Sequence, residues 1–171
     1  RLLLVDGAHG AHLAFGDKKG YAGQYADMWV DGAHKTLPTL TQGAIVSVNN
    51  PDLIPLADEA MSLLRTTSPS FPIMASVEFG VKFLANNNKY LFRAKNAVEQ
   101  FKNDTRGEFT VYPSDDWTKL LIDFKPLDIS PEKVLDRLEK KGVFAEFTDG
   151  RYILFYLSPM TDSPELNALR K

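Results

Sequence analysis

Two charged side chains, Asp6 and Lys35, follow apolar runs of the sequence that predict β-strands. Asp6 stands directly after residues 2–5, and Lys35 follows residues 26–30. Because ligands of α/β sheets bind beyond the carboxyl ends of parallel strands, we expect the two side chains to face one crevice. A lysine can hold pyridoxal phosphate as a Schiff base while a carboxylate keeps the pyridine nitrogen protonated. Ala8 would then present its methyl group to the ring.

A purely structural role for both residues stays open on spacing alone, since an aspartate after a strand and a lysine in a turn are common. The histidines at His9, His12 and His34 admit a zinc site as another interpretation. Neither a cysteine nor an HExxH motif accompanies them. We therefore predict no metal site, and we predict a structural role for His12.

The composition limits which kinds of binding partner and which cellular compartment we expect for the protein. The chain has 20 Lys and Arg against 22 Asp and Glu, with no basic stretch, so we predict no nucleic-acid partner. The absence of cysteine excludes a disulfide framework and a thiol nucleophile, and it favours the cytoplasm. No apolar run approaches the roughly 18–20 residues that span a bilayer, so we predict no membrane insertion.

The elements that must position Asp6 and Lys35 are three strands. The continuous apolar run at residues 2–5 predicts a strand buried on both faces, as in parallel sheets. Residues 26–30 predict the second strand, and the β-branched residues at 44–48 predict the third. Since a buried parallel strand needs neighbours, we expect that an N-terminal portion precedes residue 1 in the intact protein.

Helices are predicted after the third strand. Asn50 as N-cap and Pro51 at the first helical position predict a helix that ends near Arg65. Residues 71–84 are apolar enough to predict a buried helix, and residues 90–101 carry apolar side chains at helical spacing.

From residue 108 onward the pattern changes to that of a small α+β unit. Its elements are strands at 109–112, 120–124, 144–147 and 152–157, with a helix at 131–141 and a hairpin turn at Asp149-Gly150. We therefore divide the chain into residues 1–104 and 105–171.

Three sequence motifs occur in a specific order. They are VDGAHGAH at residues 5–12, DGAHKTLPTLTQGA at 31–44, and TSPSF at 67–71 followed by MAS at 74–76. Together they resemble the ornithine/lysine/arginine decarboxylase family of fold-type I pyridoxal-phosphate enzymes. The resemblance implies an α/β fold in which residues 1–104 are the C-terminal portion of an aspartate aminotransferase-like large domain. Residues 105–171 would form the small α+β domain.

The resemblance also implies roles for individual residues. Lys35 would be the Schiff-base lysine, Asp6 the partner of the pyridine nitrogen, and Ala8 the residue packed on the ring. His34 would lie beside the phosphate, and His9 near the cofactor and the departing carboxylate. Lys35 or His9 would donate the proton that completes the product amine, which would be agmatine, cadaverine or putrescine from a small basic amino acid.

In the same family, the hydroxyl-rich turn at Thr67 and Ser68 resembles a segment that reaches the phosphate of a neighbouring subunit. This implies a homodimer or a higher homo-oligomer. Two departures from the family pattern concern the phosphate. Gly32 and Ala33 stand where the family often has hydroxyl residues, and the family's phosphate-cradling loop belongs to a segment that would precede residue 1. We therefore expect the isolated chain to be inactive.

Two other functions stay open from the sequence. One is a different fold-type I activity, such as an aminotransferase or a lyase, in which Arg151 would bind the α-carboxylate of the substrate. The other is a non-catalytic chain that retains an association surface. The motifs around Lys35 and Thr67 favour a decarboxylase over another fold-type I activity.

Overall fold

The computed structural model describes residues 1–170 and divides them into two compact units, Arg1–Asn88 and a second unit that begins at Lys89. The sequence places a domain boundary later, after residue 104. The helix predicted at 90–101 lies in the second unit, because it packs against another helix of that unit. The assignment of residues 1–104 to one family domain stays a prediction.

The first unit contains a three-stranded sheet in the order β1-β2-β3. β1 (Leu4–Asp6) pairs in parallel with β2 (Met28–Asp31), and β2 pairs in antiparallel fashion with β3 (Ile45–Val48). All three strands lie close to their predicted places. The parallel pairing that the placement of Asp6 and Lys35 requires is confirmed.

The apolar run that leads into β1 is exposed. Leu2, Leu3 and Leu4 retain 60, 47 and 58% of their accessible area. The prediction of a strand buried on both faces is therefore wrong for the described chain. β1 is an edge strand of its sheet, and within residues 1–170 no further strand pairs along its outer side. An apolar run indicates what a strand can bury, but the neighbours decide what it does bury.

The connection from β1 to β2, residues 7–27, is largely irregular. It contains only two short 3₁₀ turns, Ala11–Phe15 and Ala22–Gln24. At the end remote from Asp6, Oδ2 of Asp27 accepts a hydrogen bond from the backbone N–H of Leu3 at 2.8 Å. This bond ties the end of the connection to the start of β1.

Two helices follow β2 and β3. α1 (Ala33–Thr36) is a single turn directly after β2, and α2 (Ile54–Leu64) begins after a 3₁₀ turn at Pro51–Leu53. The predicted N-cap is confirmed, since Oδ1 of Asn50 accepts a hydrogen bond from the N–H of Asp52 at 3.1 Å. This bond satisfies a backbone donor that the helix itself cannot pair.

The helix α3 (Phe71–Asn86) is expected from the sequence to be buried, and this expectation is wrong. Only Gly80 and Leu84 of α3 are buried, while Phe71 and Phe79 are exposed. α2 has no buried residue at all. Much of the apolar area of both helices therefore faces outward.

α3 nevertheless supports the segment that follows Lys35. A Cβ on Gly80 would lie 2.5 Å from Cγ2 of Thr39, so only glycine permits the approach seen here. The backbone N–H of Leu40 also donates to Oγ of Ser76 at 3.1 Å. These contacts fix the chain directly after α1.

The second unit combines a four-stranded antiparallel sheet, in the order β4-β5-β7-β6, with three helices. Its elements are α4 (Lys89–Asp104), β4 (Thr110–Val111), β5 (Lys119–Asp123), α5 (Pro131–Glu139), β6 (Phe147–Thr148), β7 (Tyr152–Tyr156) and α6 (Ser163–Ala168). Its core is formed by α4 and the two central strands, with Leu91, Val98, Phe101, Leu120, Ile122, Ile153 and Phe155 buried. Each helix described within residues 1–170 falls short of the length and apolar character needed to cross a bilayer.

Two elements of this unit differ from the prediction. The strand predicted at 144–147 begins only at Phe147, and Phe144 is exposed in the preceding loop. α6 is missing from the sequence analysis, although Asp162 and Glu165 form a capping box at its start. The hairpin turn is confirmed, because Gly150 takes the left-handed conformation (φ +87°) between β6 and β7.

A buried carboxylate connects β5 to the hairpin. Oδ2 of Asp123 accepts hydrogen bonds from Nε and Nη2 of Arg151 at 3.1 and 3.0 Å, and Oδ1 accepts the backbone N–H of Lys125 at 2.9 Å. The hydrogen bond from Lys125, together with the Arg151 guanidinium and against the effect of burial, lowers the pKa of Asp123.

We expect Asp123→Asn to destabilise the second unit near neutral pH by roughly 1–3 kcal/mol, because a charge-assisted hydrogen bond is lost. A carboxyl whose pKa is lowered by folding contributes stability above its unfolded pKa, and loses that contribution as pH falls through its folded pKa. The difference between wild type and variant should therefore shrink in acid. Urea unfolding of fluorotryptophan-labelled chain, followed by ¹⁹F NMR at Trp117, measures this.

The matched control is Asp136→Asn, which removes an exposed carboxylate paired with Lys140 in the same unit. We expect little change from this control, since exposed ion pairs contribute little. Equal urea midpoints for wild type and Asp123→Asn at neutral pH would contradict the role given to Asp123.

Candidate functional site

The parallel register of β1 and β2 determines where the candidate site lies. Asp6 pairs with Val30, and the N–H of Gly7 donates to the carbonyl oxygen of Val30 at 2.8 Å. β2 continues for one more residue, Asp31, and α1 begins at Ala33. Asp6 and α1 therefore lie at the carboxyl edge of the same parallel pair, as the sequence predicts.

The turn after Asp6 is closed by local hydrogen bonds and passes close to α1. Oδ1 of Asp6 accepts the N–H of Ala8 at 3.0 Å, and the N–H of Gly10 donates to the carbonyl oxygen of Gly7 at 2.7 Å. A Cβ at Gly32 would lie only 2.5 Å from the carbonyl oxygen of Ala8. The absence of a hydroxyl side chain at position 32 thus has a steric cause in this chain.

Lys35 and His9 meet at this edge. The side chain of Lys35 is exposed, and its Nζ lies 3.2 Å from Nε2 of His9. A lysine amine must lose a proton before it can attack a carbonyl carbon. A neutral imidazole with Nε2 facing the amine can accept that proton, so the pair has the geometry for nucleophilic chemistry.

His34 is half-buried and its ring is fixed by the backbone. Its Nδ1 lies 2.8 Å from the carbonyl oxygen of Gly43, and its own N–H donates to the same oxygen at 3.1 Å. Since a carbonyl oxygen only accepts, Nδ1 must carry the proton in this hydrogen bond. Nε2 of His34 is then the nitrogen left to face a ligand.

Thr67 and Ser68 lie in the turn between α2 and α3 and are exposed. The N–H of Ser68 donates to Oγ1 of Thr66 at 3.2 Å, which is a contact within the turn. The predicted role of both residues at a phosphate stays a prediction. Within residues 1–170, the histidines and acidic residues form no group of three or more that is placed to hold a metal ion.

Neither Trp29 nor Asp31 is predicted from the sequence to belong to the site, yet the two form a buried polar pair. Asp31 is only 4% exposed, and its Oδ2 accepts a hydrogen bond from Nε1 of Trp29 at 2.8 Å. Burial raises the pKa of Asp31, while the Trp29 hydrogen bond and the charge of His12 oppose that rise. The alternation of Trp29 and Asp31 along β2 is the sequence signal for their shared face.

His12 lies within the 3₁₀ turn Ala11–Phe15 and is 1% exposed, in keeping with its predicted structural role. Arg151, the alternative ligand for a substrate carboxylate, directs its guanidinium to Asp123 in the second unit. The side chain of Arg151 is half-exposed, and its Cζ lies over the Tyr152 ring, 4.7 Å from the ring centroid.

Comparisons with a family model and with individual sequences point to the same family. A family model described as Orn/Lys/Arg decarboxylase, major domain, matches residues 1–126. The chain is 32% identical to the uncharacterized protein YaaO of Bacillus subtilis and 27% identical to an arginine decarboxylase of Bacillus anthracis. These matches cover 97 and 98% of this chain, but the chain spans only 37% of the length of each relative.

Comparison with solved structures supports the same fold. The lysine decarboxylase LdcF of Francisella novicida superposes with a TM-score of 0.80 at 17% identity, over 98% of this chain and 31% of the LdcF chain. A structure of SPT with a pyridoxal-phosphate internal aldimine gives a TM-score of 0.70 at 14% identity, over 98% of this chain and 45% of that one. The expected fold class, an aspartate aminotransferase-like α/β domain present in part, is confirmed.

We expect Gly32→Ala to lower the free energy of unfolding of the first unit by about 1–3 kcal/mol, because the added Cβ would collide with the carbonyl oxygen of Ala8. The displaced turn should also carry His9 away from Lys35, and this would change the His9 ring signals in NMR spectra. Gly16→Ala is the matched control, since a Cβ there meets nothing within 4 Å. Equal unfolding midpoints for the two variants would show that position 32 is not constrained.

Proposed function

Because the chain belongs to the Orn/Lys/Arg decarboxylase family, we propose that its first unit serves the pyridoxal-phosphate-dependent decarboxylation of a small basic amino acid: arginine, lysine or ornithine. The observation that carries this proposal is the exposed Lys35 amine, 3.2 Å from His9, at the strand edge where Asp6 ends β1. The names of the relatives, arginine decarboxylase and lysine decarboxylase, support the substrate class.

The residues at this edge fit pyridoxal phosphate. An exposed amine, a carboxylate and a small apolar side chain are the three groups that the cofactor's carbonyl, pyridine nitrogen and ring face require, and Lys35, Asp6 and Ala8 provide them. Because Gly32 has no side chain, the carbonyl oxygen of Ala8 and Cδ of Lys35 both approach position 32 closely, at 2.5 and 3.3 Å from where a Cβ would stand. When bound, the cofactor supplies an electron sink for the electrons left behind as carbon dioxide departs.

Each residue then has a distinct task. Lys35 would hold the cofactor through Nζ, and Asp6 would keep a proton on the pyridine nitrogen. His9, whose Nε2 lies 3.2 Å from Nζ of Lys35, would take the proton that Lys35 releases and would return a proton to the product. His34, with Nδ1 committed to the carbonyl oxygen of Gly43, offers Nε2 to the phosphate.

The phosphate group would be bound without hydroxyl groups from positions 32 and 33. Gly32 has no side chain for steric reasons, and Ala33 is fully buried. We propose that further phosphate contacts come from the exposed turn of Thr67 and Ser68 in a neighbouring copy of the chain, so that the working unit is a homodimer or a higher homo-oligomer. The exposed apolar residues of α2 and α3 support such an assembly.

Residues 1–171 alone are proposed to bind the cofactor weakly and to release no carbon dioxide. The chain spans about a third of the length of the decarboxylases that it matches, so these residues supply only part of what those proteins contain. We place the activity in the cytoplasm and its products among the polyamines and their precursors.

We expect pyridoxal phosphate to modify Lys35 in preference to the other lysines. Borohydride reduction followed by peptide mass spectrometry should locate the adduct on Lys35, and Lys35→Ala should lose it. Lys82→Ala is the matched control in the same unit, since Lys82 is exposed and its amine pairs with Glu78 on its own helix. That variant should keep the adduct.

Two outcomes would contradict the proposal. Labelling spread evenly over the exposed lysines would mean that Lys35 is not a cofactor anchor, and it would favour the non-catalytic association role. Amino-group transfer without carbon dioxide release, in a complex with the rest of the enzyme, would favour an aminotransferase.

A further inference from the structure

A buried polar pair lies on the face of β2 that the long connection covers. Trp29 and Asp31 alternate along β2 and are 7 and 4% exposed. Nε1 of Trp29 donates to Oδ2 of Asp31 at 2.8 Å. Within residues 1–170, Oδ1 of Asp31 is buried and has no hydrogen-bond partner. A buried carboxyl with an unsatisfied oxygen is costly, so its retention calls for an explanation.

The connection of residues 7–27 rests directly on this pair. A Cβ on Gly7 would lie 3.1 Å from Oδ1 of Asp31, and a Cβ on Gly23 would lie 2.9 Å from the Trp29 ring. The ring of Tyr21 meets the Trp29 ring edge-on, with 5.9 Å between their centroids. Glycine at positions 7 and 23 lets the backbone approach the pair more closely than any other residue would allow.

The carboxyl also lies under the turn that carries His9. Gly7 opens this turn, and Gly10, whose Cβ would be 3.9 Å from Oδ1 of Asp31, ends it. The N–H of Gly7 donates to the carbonyl oxygen of Val30, the N–H of Ala8 donates to Oδ1 of Asp6, and the N–H of Gly10 donates to the carbonyl oxygen of Gly7. The buried carboxyl of Asp31 lies against both ends of the turn and is part of the surface on which the turn packs.

We propose that Asp31 is a positioning residue: with Trp29 it holds the connection of residues 7–27 on β2, and thereby keeps His9 against Lys35. The proposal rests on the proposed function only for its catalytic consequence, because the contact between Asp31 and the turn exists without any cofactor. Trp29 and Asp31 are not among the residues proposed to face the cofactor, and this proposal gives them a role in holding those residues in place.

The surroundings of Asp31 act on its pKa in opposing directions, with a net rise. Burial is the largest influence on the pKa of Asp31 and raises it, while the hydrogen bond from Trp29 and the charge of His12 lower it. Burial and then the charge of Asp31 raise the pKa of Tyr21 in the connection. An asparagine would keep the size of the side chain and an acceptor for Trp29 without adding a buried charge. Asp31→Asn is therefore the conservative variant, and Asp31→Ala removes both the volume and the acceptor.

The first test needs no cofactor. Amide hydrogen exchange, read by NMR at Gly7 and Gly10, reports how firmly the turn is held. We expect Asp31→Ala to speed exchange at both amides by about tenfold or more relative to the amides of β3, and Asp31→Asn to restore most of the protection. If Asp31→Ala does not fold, Trp29→Phe, which keeps a ring but removes the donor, should speed the same two amides.

The matched control is Asp27→Ala, at the other end of β2. Oδ2 of Asp27 accepts a hydrogen bond from the N–H of Leu3, the residue before β1, far from the turn of Gly7 and Gly10. It should leave exchange at Gly7 and Gly10 unchanged. Unchanged exchange in Asp31→Ala, or the same acceleration in Asp27→Ala, overturns the proposal.

The second test measures the rate at which pyridoxal phosphate modifies Lys35, as a function of pH. We expect Asp31→Ala to slow the modification of Lys35 and to weaken the dependence of its rate on pH, because His9 no longer lies against the amine. Asp31→Asn should keep the rate and the pH dependence of the wild type. If wild type itself forms no adduct at Lys35, the proposed function fails, and the exchange measurement alone decides the role of Asp31. A wild-type profile in Asp31→Ala overturns the positioning role.

Discussion

The parallel pairing of β1 with β2 is the constraint on which the candidate site depends. Two parallel strands end at the same edge, so the register that sets Asp6 opposite Val30 also brings Asp6 level with the start of α1. A shift of one residue would turn the side chain of Asp6 to the other face of the sheet. The backbone hydrogen bond from Gly7 to Val30 fixes this register beside the candidate site.

Close backbone approaches then convert this edge into a site. Gly32 lets the turn after Asp6 come against α1, Gly80 lets α3 support the segment after Lys35, and Gly7 lets the turn settle on Asp31. These contacts constrain the backbone of the turn that carries His9 and of the segment that follows Lys35. The exposed apolar side chains of β1, α2 and α3 show that the same unit has further surface to bury, and this agrees with a chain that spans about a third of its relatives.

The sequence predicts where elements begin and end better than it predicts which of their residues are buried. The strand ends at Asp6 and before Lys35, the N-cap at Asn50 and the hairpin at Gly150 all depend on local chemistry, which the residues themselves carry. The burial of residues 2–5 and of α3 depends on neighbours, and an apolar pattern does not specify them. Asp31 was missed for a related reason: an acidic residue at the end of a strand has no local mark that distinguishes a solvent-facing carboxylate from a buried one.

The central claim is that one edge holds both the anchor and the proton partner of a pyridoxal ring. The most direct test is the ¹⁵N NMR shift of the pyridine nitrogen in labelled pyridoxal phosphate attached to Lys35, compared between wild type and Asp6→Asn. The account predicts a protonated nitrogen in wild type and an unprotonated one in Asp6→Asn, with the attachment to Lys35 intact in both. The same nitrogen shift in the two proteins would contradict it.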